Sequence, residues 1–319
     1  MNPTFRYLEI GEVSSLSVRV PVVTVGSGRP VLTCLCGVHG DETTSVAAVH
    51  RMVERMGTHA DICGSIRLVT AANPLAQAVR ARLGPVDLLD LNRCGHGAPE
   101  ASLTKRVAHA LSGVLSDSNF IVDLHEFEME TPTMAIFVPS GEPTLDKMVL
   151  SHIAAFGPET VWAMDVARPE EATYRGSLLS AALAAGVPGF AIETSHAWIV
   201  SDSAIDAVAD GLVRVAQQLG IVESRPQLSQ PVAYRRREVT AEKAGLWLPA
   251  TRPLQHVDAG SLVGRIVGLD LVSSTDLAAP ANGVLLQLAR RSVVGTGSSV
   301  FALGTVDEAT TAALREASA

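Results

Sequence analysis

The strongest constraint on the fold of this chain is an alternation of strand-like and helix-like segments. The run from Val31 to Val38 is continuously apolar, as in strands buried on both faces, and Thr43 to Met56 repeats its apolar residues at helical spacing. Such alternation predicts an α/β domain in which helices flank a parallel or mixed sheet. The predicted strands are Val31–Val38, Ser65–Thr70, Phe120–Leu124, Ala135–Pro139, Val161–Val166 and Gly189–Ile192. The predicted helices are Thr43–Met56, Ser102–Leu115, Glu142–Phe156, Ser177–Ala185 and Ser203–Leu219.

The composition changes after Gly220. The segment 223–231 is polar and contains prolines, and the residues beyond it form short valine- and leucine-rich runs separated by glycines. This pattern is typical of an all-β unit. We therefore predict two domains, residues 1–230 and residues 231–319, with a boundary near Gln230.

Charge and composition narrow the function classes. The chain has 319 residues, 47% of them hydrophobic, and a formal net charge of -8, which argues against a nucleic-acid-binding surface. The first residues contain neither a basic leader nor an apolar signal segment, and no apolar run is long enough to span a bilayer. We therefore predict a cytoplasmic protein without a membrane partner. Four cysteines are too few for a disulfide framework and are interpreted as reduced thiols.

Groups that can carry chemistry follow four of the predicted strands. His39 follows the first strand and Asn73 follows the second. His125 ends the strand that begins at Phe120, and Glu193 ends the last strand of the α/β region. Open α/β sheets bind ligands at the carboxyl ends of their strands, so we expect these side chains to meet at one edge of the sheet.

The first of these strand ends predicts a metal site. His39 and Glu42 lie three residues apart on an opening helical turn, which points an imidazole and a carboxylate the same way. Zinc accepts both donors, but two protein ligands do not complete a zinc site. We therefore predict His125 as the third ligand. Such a site leaves a coordination position open, as in catalytic zinc sites that activate water. The sequence therefore predicts one Zn²⁺ per chain and a hydrolytic reaction.

Two further groups complete the predicted chemistry. Glu193 ends an apolar strand, where partial burial would raise its pKa towards the range of a general base. The segment 73–93 contains several arginines, whose planar guanidinium groups match carboxylates and stabilise oxyanions. The alternative interpretation of these arginines is an ordinary solvated loop.

Five motifs resemble the succinylglutamate desuccinylase/aspartoacylase family, which is related to zinc carboxypeptidases. They are His39–Glu42, Asn73-Pro74, Asp90–Arg93, Asp123–His125 and Ala191–Glu193. The resemblance implies a zinc-carboxypeptidase-like mixed sheet flanked by helices. It also implies a C-terminal β-rich domain that is similar to a lipoyl-like sandwich, although its turn at 279–283 offers no lysine for lipoylation.

The resemblance also implies roles for individual residues. Its metal ligands correspond to His39, Glu42 and His125. Glu193 would be the general base, and Arg82 would lie near the scissile carbonyl, with Arg80 as the competing register. Asn92 and Arg93 would grip a substrate carboxylate.

Two segments depart from the family pattern and bear on the substrate. After Arg93 the chain reads CGHG at positions 94–97, where many relatives have an aromatic residue and a proline. After His125 the chain reads EFEME, which places glutamates at positions 126, 128 and 130. The simplest interpretation is a solvated edge. The alternative is that Glu126 and Glu128 lie at the rim of the metal pocket and select a cationic group of the substrate.

The combined prediction is a zinc-dependent amidohydrolase that removes a small acyl group from an N-acyl amino acid or an N-acyl diamine. The first alternative is a carboxypeptidase-like metallopeptidase that acts on short peptides. The second is a non-catalytic relative that binds an acylated metabolite. The predicted partner is a small molecule, with no nucleic acid and no membrane, and a homo-oligomer is left open.

Overall fold

The computed structural model describes residues 3–57, 62–196, 198 and 200–318. The α-helices in these ranges are α1 (Thr44–Met56), α2 (Pro74–Val79), α3 (Leu103–Ser116), α4 (Pro143–Phe156), α5 (Leu178–Ala184), α6 (Asp202–Gln218) and α7 (Glu308–Ala317). The strands are β1 (Thr4–Val13), β2 (Leu16–Ser27), β3 (Val31–Leu35), β4 (Gly64–Val69), β5 (Phe120–Phe127), β6 (Met134–Phe137), β7 (Thr160–Ala163), β8 (Gly189–Ser195), β9 (Ala233–Thr240), β10 (Gly245–Pro249), β11 (His256–Val257), β12 (Leu262–Val267), β13 (Ser274–Ala278), β14 (Gly283–Leu288), β15 (Ser292–Val294) and β16 (Ser299–Val306). Short 3-10 helices cover Leu91–Arg93 and Ala172–Gly176.

One mixed sheet of 12 strands organises the chain, in the order β1-β2-β4-β3-β5-β8-β6-β7-β9-β16-β14-β11. At its centre β5 runs parallel to both β3 and β8, so the carboxyl ends of these three strands lie at one edge. Helices α1, α4 and α6 cover one face of the sheet, and α3 and α5 cover the other. The predicted α/β fold with flanking helices is therefore confirmed.

Strand β3 shows why its sequence is continuously apolar. Leu32 and Cys34 pack into the core beneath α1, whereas Leu35 packs into the core on the opposite face. Burial raises the pKa of the Cys34 thiol to about 12, so this side chain remains neutral and acts as a small apolar group. The strand thus anchors its own carboxyl end, and the turn that follows it, in the middle of the protein.

The predicted elements agree closely with the structure, and the additional ones lie at the two ends of the chain and after β4. All six predicted strands and all five predicted helices are present, with ends that move by at most three residues. The antiparallel hairpin of β1 and β2 and the short helix α2 were not predicted. None of the described helices is long and apolar enough to cross a membrane.

The prediction of an all-β C-terminal segment was wrong in one respect, because α7 ends the chain. The Asp307 side chain caps this helix by accepting a hydrogen bond from the backbone N–H of Thr310. Leu314 then buries itself in the core beneath the large sheet. The sequence of α7 carries helix signals that the all-β interpretation overlooked, with Asp307 at the N-cap, Glu308 in the first turn and Arg315 in the last.

The rest of the C-terminal segment is the expected β-rich sandwich. Strands β13, β12, β10 and β15 form a second, antiparallel sheet. Trp247, Ile266 and Phe301 fill the core between this sheet and the end of the large one. Because the large sheet continues through the pairing of β7 with β9, the two halves share hydrogen-bonded strands. The division near residue 230 stays a prediction.

A buried histidine makes the stability of the fold sensitive to acid. The ring of His152 stacks on Phe120 with 4.2 Å between centroids, and its Nδ1–H donates to the Met148 carbonyl at 2.8 Å. Burial lowers the pKa of His152 to about 4, so the folded state disfavours the charged ring. Stability from the neutral ring is complete above the unfolded pKa of about 6.5 and is lost as the pH falls towards the folded pKa.

We therefore expect His152→Phe to retain about 2 kcal/mol more of its pH 7 stability at pH 4.5 than the unsubstituted protein does. Denaturant-induced unfolding of both proteins at the two pH values measures the difference. His50→Gln serves as the control, because the His50 side chain is 72% exposed. Equal losses in all three proteins would contradict the prediction.

Candidate metal and catalytic site

The turn after β3 is shaped by two glycines. Gly37 adopts a positive φ of 67°, which favours glycine. A Cβ at Gly40 would lie 2.0 Å from the backbone carbon of Ala76, so only glycine lets the turn pack against α2. The turn therefore holds His39 and Glu42 close to the carboxyl end of the sheet, where both are 3% exposed.

The three predicted metal ligands converge. His39 Nδ1 lies 2.6 Å from Glu42 Oε1, and His125 Nδ1 lies 3.0 Å from Glu42 Oε2. One donor atom from each residue can be chosen so that all three lie within 4.8 Å of one another. Two imidazoles and one carboxylate are donors that zinc accepts, and the three side chains are buried. The donor set therefore fits a zinc ion.

Outer carboxylates orient both imidazoles. His39 Nε2 lies 3.2 Å from Asp90 Oδ1, and His125 Nε2 lies 3.1 Å from Asp123 Oδ2. Carboxylates accept hydrogen bonds, so each outer aspartate can accept from an Nε2–H, and a neutral ring held this way would have its Nδ1 lone pair available to a metal. This arrangement is common around zinc sites, where it fixes the ring and strengthens the ligand.

The electrostatics of the cluster show strong coupling between its members. Burial opposes ionisation of Glu42, but the charges of His125 and His39 lower its pKa to about 2. Burial likewise opposes protonation of His125, yet Asp123 and Glu42 raise the pKa of its ring well above the usual value. Protons therefore compete with a metal for these donors, because the histidines must be neutral to ligate.

Glu193 faces the metal cluster from the neighbouring strand. It lies directly opposite His125 in the parallel pairing of β5 with β8, and it is 8% exposed. Burial raises the pKa of Glu193 to about 8. Within the described residues its Oε2 has no hydrogen-bond partner. A small cavity of about 30 Å³ beside it is lined by Glu193, His125, Asn92 and Tyr174, among others.

The structure separates the two arginines between which the sequence left a choice. Arg82 Nη2 donates to Asp90 Oδ2 at 3.0 Å, and its Nη1 lies 3.5 Å from His39 Nδ1. Arg80 adopts a positive φ of 51° at the end of α2, where it is exposed. Arg82 therefore lies at the metal cluster, and Arg80 lies outside it.

Asn92 and Arg93 lie on the 3-10 helix Leu91–Arg93, next to His125. The Asn92 Oδ1 accepts a hydrogen bond from the Leu178 backbone N–H, and its Nδ2 lies 3.3 Å from His125 Nε2. The Arg93 guanidinium lies over the Tyr174 ring at 4.6 Å, and its Nε donates to Thr173 Oγ1 at 3.2 Å. Both residues are thus fixed next to the cavity that contains Glu193.

Three residues of the site are absent from the predicted set of site residues, namely Asp90, Asp123 and Tyr174. The aspartates belong to recognised motifs, but spacing does not reveal which ring nitrogen they contact. Tyr174 lies on the 3-10 helix Ala172–Gly176, far from every motif in the sequence, and reaches the cavity because this helix packs against the 3-10 helix Leu91–Arg93 and against α5. No sequence signal identifies it.

The acidic run after His125 has three different environments. Glu126 is 6% exposed and accepts a hydrogen bond from the Thr44 backbone N–H at the start of α1, so the solvated-edge interpretation was wrong for this residue. Glu128 is exposed. Glu130 pairs with Arg290 of the C-terminal segment at 3.0 Å. Only Glu128 fits the solvated edge.

Comparison with known proteins identifies the family. The sequence profile of the succinylglutamate desuccinylase/aspartoacylase catalytic domain matches residues 29–219, more than half of the chain. The chain belongs to this family. The resemblance drawn from the five motifs is therefore confirmed.

Solved structures of the desuccinylase/aspartoacylase family share the fold. A succinylglutamate desuccinylase/aspartoacylase from Rhodobacter sphaeroides superposes with a TM-score of 0.84, at 22% identity over 96% of both chains. The product-bound ectoine utilization protein EutE (DoeB) from Ruegeria pomeroyi superposes with a TM-score of 0.84, at 21% identity over 95% of both chains. These likenesses include the C-terminal β-rich part as well as the α/β part.

A curated relative is similar over a shorter stretch. The N-alpha-acetyl-L-2,4-diaminobutyric acid deacetylase of Halomonas elongata is 32% identical over 111 residues. The match spans 34% of this chain and 32% of the relative, so it covers about a third of each protein.

Asp123 provides a test of the metal site. Its carboxylate accepts the His125 Nε2–H, and an amide in its place would accept more weakly and orient the ring less firmly. We expect Asp123→Asn to lower zinc affinity by about 10- to 100-fold in competition with a chromophoric chelator. Asp276→Asn is the control, because Asp276 pairs with Arg265 on the exposed surface of the C-terminal part. Unchanged affinity in Asp123→Asn would argue against His125 as a ligand.

Proposed function

We propose that this chain is a zinc-dependent amidohydrolase that removes a small acyl group from the nitrogen of an amino acid or diamine. The observation that carries the proposal is the position of Glu193, a buried carboxylate whose Oε2 has no hydrogen-bond partner within the described residues, directly across the β5–β8 pairing from a convergent zinc donor set. A general base beside an open metal site is the arrangement that amide hydrolysis requires.

The donor set would be His39, Glu42 and His125. A zinc ion held by them would supply a Lewis acid that lowers the pKa of water and polarises an amide carbonyl. The Nε2 contacts of Asp90 and Asp123 keep both imidazoles turned so that each Nδ1 faces Glu42. The turn glycines and the buried β5 keep these donors in place before substrate arrives.

Glu193 would move the proton. Its Oε2 accepts the proton that water loses on attacking the amide carbonyl, and it delivers that proton to the leaving nitrogen. Burial favours the protonated carboxyl, and positive charge in the neighbouring donor cluster favours the carboxylate. The two effects together bring the group into the range where it can both accept and release a proton near neutral pH.

The polar side chains around the cluster would bind and orient the substrate. Arg82, half-exposed beside His39, would stabilise the oxyanion that develops on the amide oxygen. Asn92 and Arg93 would orient a carboxylate of the substrate in the cavity that Tyr174 also lines. The similarity to a diaminobutyric acid deacetylase supports a small N-acyl amino acid as the substrate class.

The proposal also covers the location of the protein and the alternative activity. A small metabolite as substrate and four unpaired cysteines, one of them exposed, are consistent with a cytoplasmic location. The carboxypeptidase-like alternative shares the donor set and the carboxylate clamp, and it predicts cleavage of short peptides in preference to N-acyl amino acids.

The central test is Glu193→Gln. The substitution keeps the shape of the side chain but removes the proton acceptor, so we expect kcat to fall by about 10²- to 10⁴-fold while zinc content is unchanged. Activity is measured on N-acetyl, N-formyl and N-succinyl amino acids and diamines, with short peptides as the comparison. Glu54→Gln is the matched control, because the Glu54 side chain lies on α1 and is 65% exposed. Full turnover by Glu193→Gln would refute the assigned base.

Arg82 and Arg80 form a matched pair for the second test. Because only Arg82 contacts the metal cluster, we expect Arg82→Met to lower kcat by about a hundredfold or more. Arg80→Met should change kcat by less than about twofold, since a solvated side chain away from the site contributes little. Steady-state kinetics on the best substrate of the panel measures both variants. A larger loss of kcat in Arg80→Met than in Arg82→Met would assign stabilisation of the oxyanion to Arg80.

A further inference from the structure

The β5–β8 pairing continues beyond the site residues. His125 lies opposite Glu193, and the next pair along the same strands that shares their face is Phe127 opposite Ser195. Side chains two residues apart on a strand point the same way, so Phe127 and Ser195 lie directly after the metal ligand and the base. Whatever holds this second pair also fixes the strand ends that carry the first.

Ser195 is held by Thr131 in the loop between β5 and β6. The Thr131 backbone N–H donates to Ser195 Oγ at 2.8 Å, and the Ser195 hydroxyl donates to the Thr131 carbonyl at 3.0 Å. The Thr131 hydroxyl donates to the Met129 carbonyl at 3.0 Å and accepts from Gln287 Nε2 at 3.4 Å. The end of β8 is thereby connected to β14 in the C-terminal part.

Gln287 is 0% exposed, and both ends of its amide are used. Its Oε1 accepts from Arg236 Nε at 2.6 Å. The Arg236 guanidinium lies 5.7 Å from the centroid of the Phe127 ring and 4.9 Å from that of Trp162, and its side chain is 9% exposed. The hydrogen-bonded side chains of Gln287 and Arg236 therefore reach both Phe127 and Ser195. Arg236 contacts Phe127 directly, and Gln287 is connected to Ser195 through Thr131.

The same loop is fastened to the C-terminal part by its backbone. Glu130 and Leu288 exchange two backbone hydrogen bonds of 2.9 and 3.0 Å, one residue beyond Gln287 in β14. This bridge brings the loop to β14, and the β5–β8 ladder aligns the two strand backbones, so the side-chain contacts act on the Phe127 ring and the Ser195 hydroxyl. The two kinds of contact can therefore be separated by substitution.

We propose that Gln287 and Arg236 are positioning residues for the reaction assigned above, and this inference rests on that proposed function. They hold the ends of β5 and β8 so that Glu193 and His125 keep their relative position. The C-terminal part is then a component of the catalytic site, although none of its residues supplies the donor set or the base. Small displacements of a catalytic group lower turnover steeply, whereas substrate binding by other residues is less affected.

The test uses the full-length, zinc-loaded protein and the best substrate of the panel. Gln287→Leu removes both side-chain bonds at similar volume, Thr131→Val removes the hydroxyl that Gln287 contacts, and Arg236→Met removes the guanidinium but keeps an apolar stem. Gln255→Leu, at an exposed position in the C-terminal part, is the control. Zinc content and thermal unfolding are measured for every variant, so that loss of fold or metal is recognised.

We expect each of the three variants to lower kcat by about 10- to 100-fold, with KM changed by less than about threefold and zinc content unchanged. Thr131→Val combined with Gln287→Leu should lose no more activity than the stronger single variant, because both interrupt one hydrogen bond. Unchanged kcat in Thr131→Val and Arg236→Met, or losses that multiply in the double variant, would overturn the proposal. If Gln287→Leu does not fold, the other two variants decide. Failure of the unsubstituted protein to hydrolyse any member of the panel would instead refute the proposed function.

Discussion

The parallel pairing of β3, β5 and β8 is the constraint on which the rest of this structure depends. Parallel neighbours end at the same edge of the sheet, so the turn with His39 and Glu42, the end of β5 with His125 and the end of β8 with Glu193 are brought together without long loops. Burial on both faces fixes the strands in turn, because a slip of one residue would move Glu193 and His125 to the opposite face.

Concentrating ionisable groups at that edge has an electrostatic cost, and the site compensates for it by pairing. Each imidazole lies between Glu42 and an outer aspartate, and Arg82 adds a positive charge beside Asp90. Within the described part of the chain Glu193 forms no ion pair, and burial raises its pKa. The contrast between a compensated cluster and one uncompensated carboxylate separates the residues suited to hold a metal from the residue suited to move a proton.

The C-terminal part has its own core and also packs against the α/β part. The large sheet passes into it at the β7–β9 pairing, α7 returns to cover the α/β core, and Glu130 and Thr131 contact β14. The likeness to solved structures likewise extends over nearly the whole chain. A boundary drawn from composition near residue 230 marks a change in local pattern, whereas the packing crosses it.

The sequence by itself determined the α/β order, the family and the three residues of the convergent donor set, because these depend on local periodicity and on motifs at strand ends. It favoured Arg82 but left Arg80 as a competing register, and it did not predict Tyr174, the burial of Glu126 or the packing of α7 on the α/β core. Only the tertiary structure decided these points, since each depends on which surfaces meet after the chain has turned back on itself. Side chains two residues apart point the same way in any strand. Which side chains of the next strand, or of the C-terminal part, they contact is set by packing.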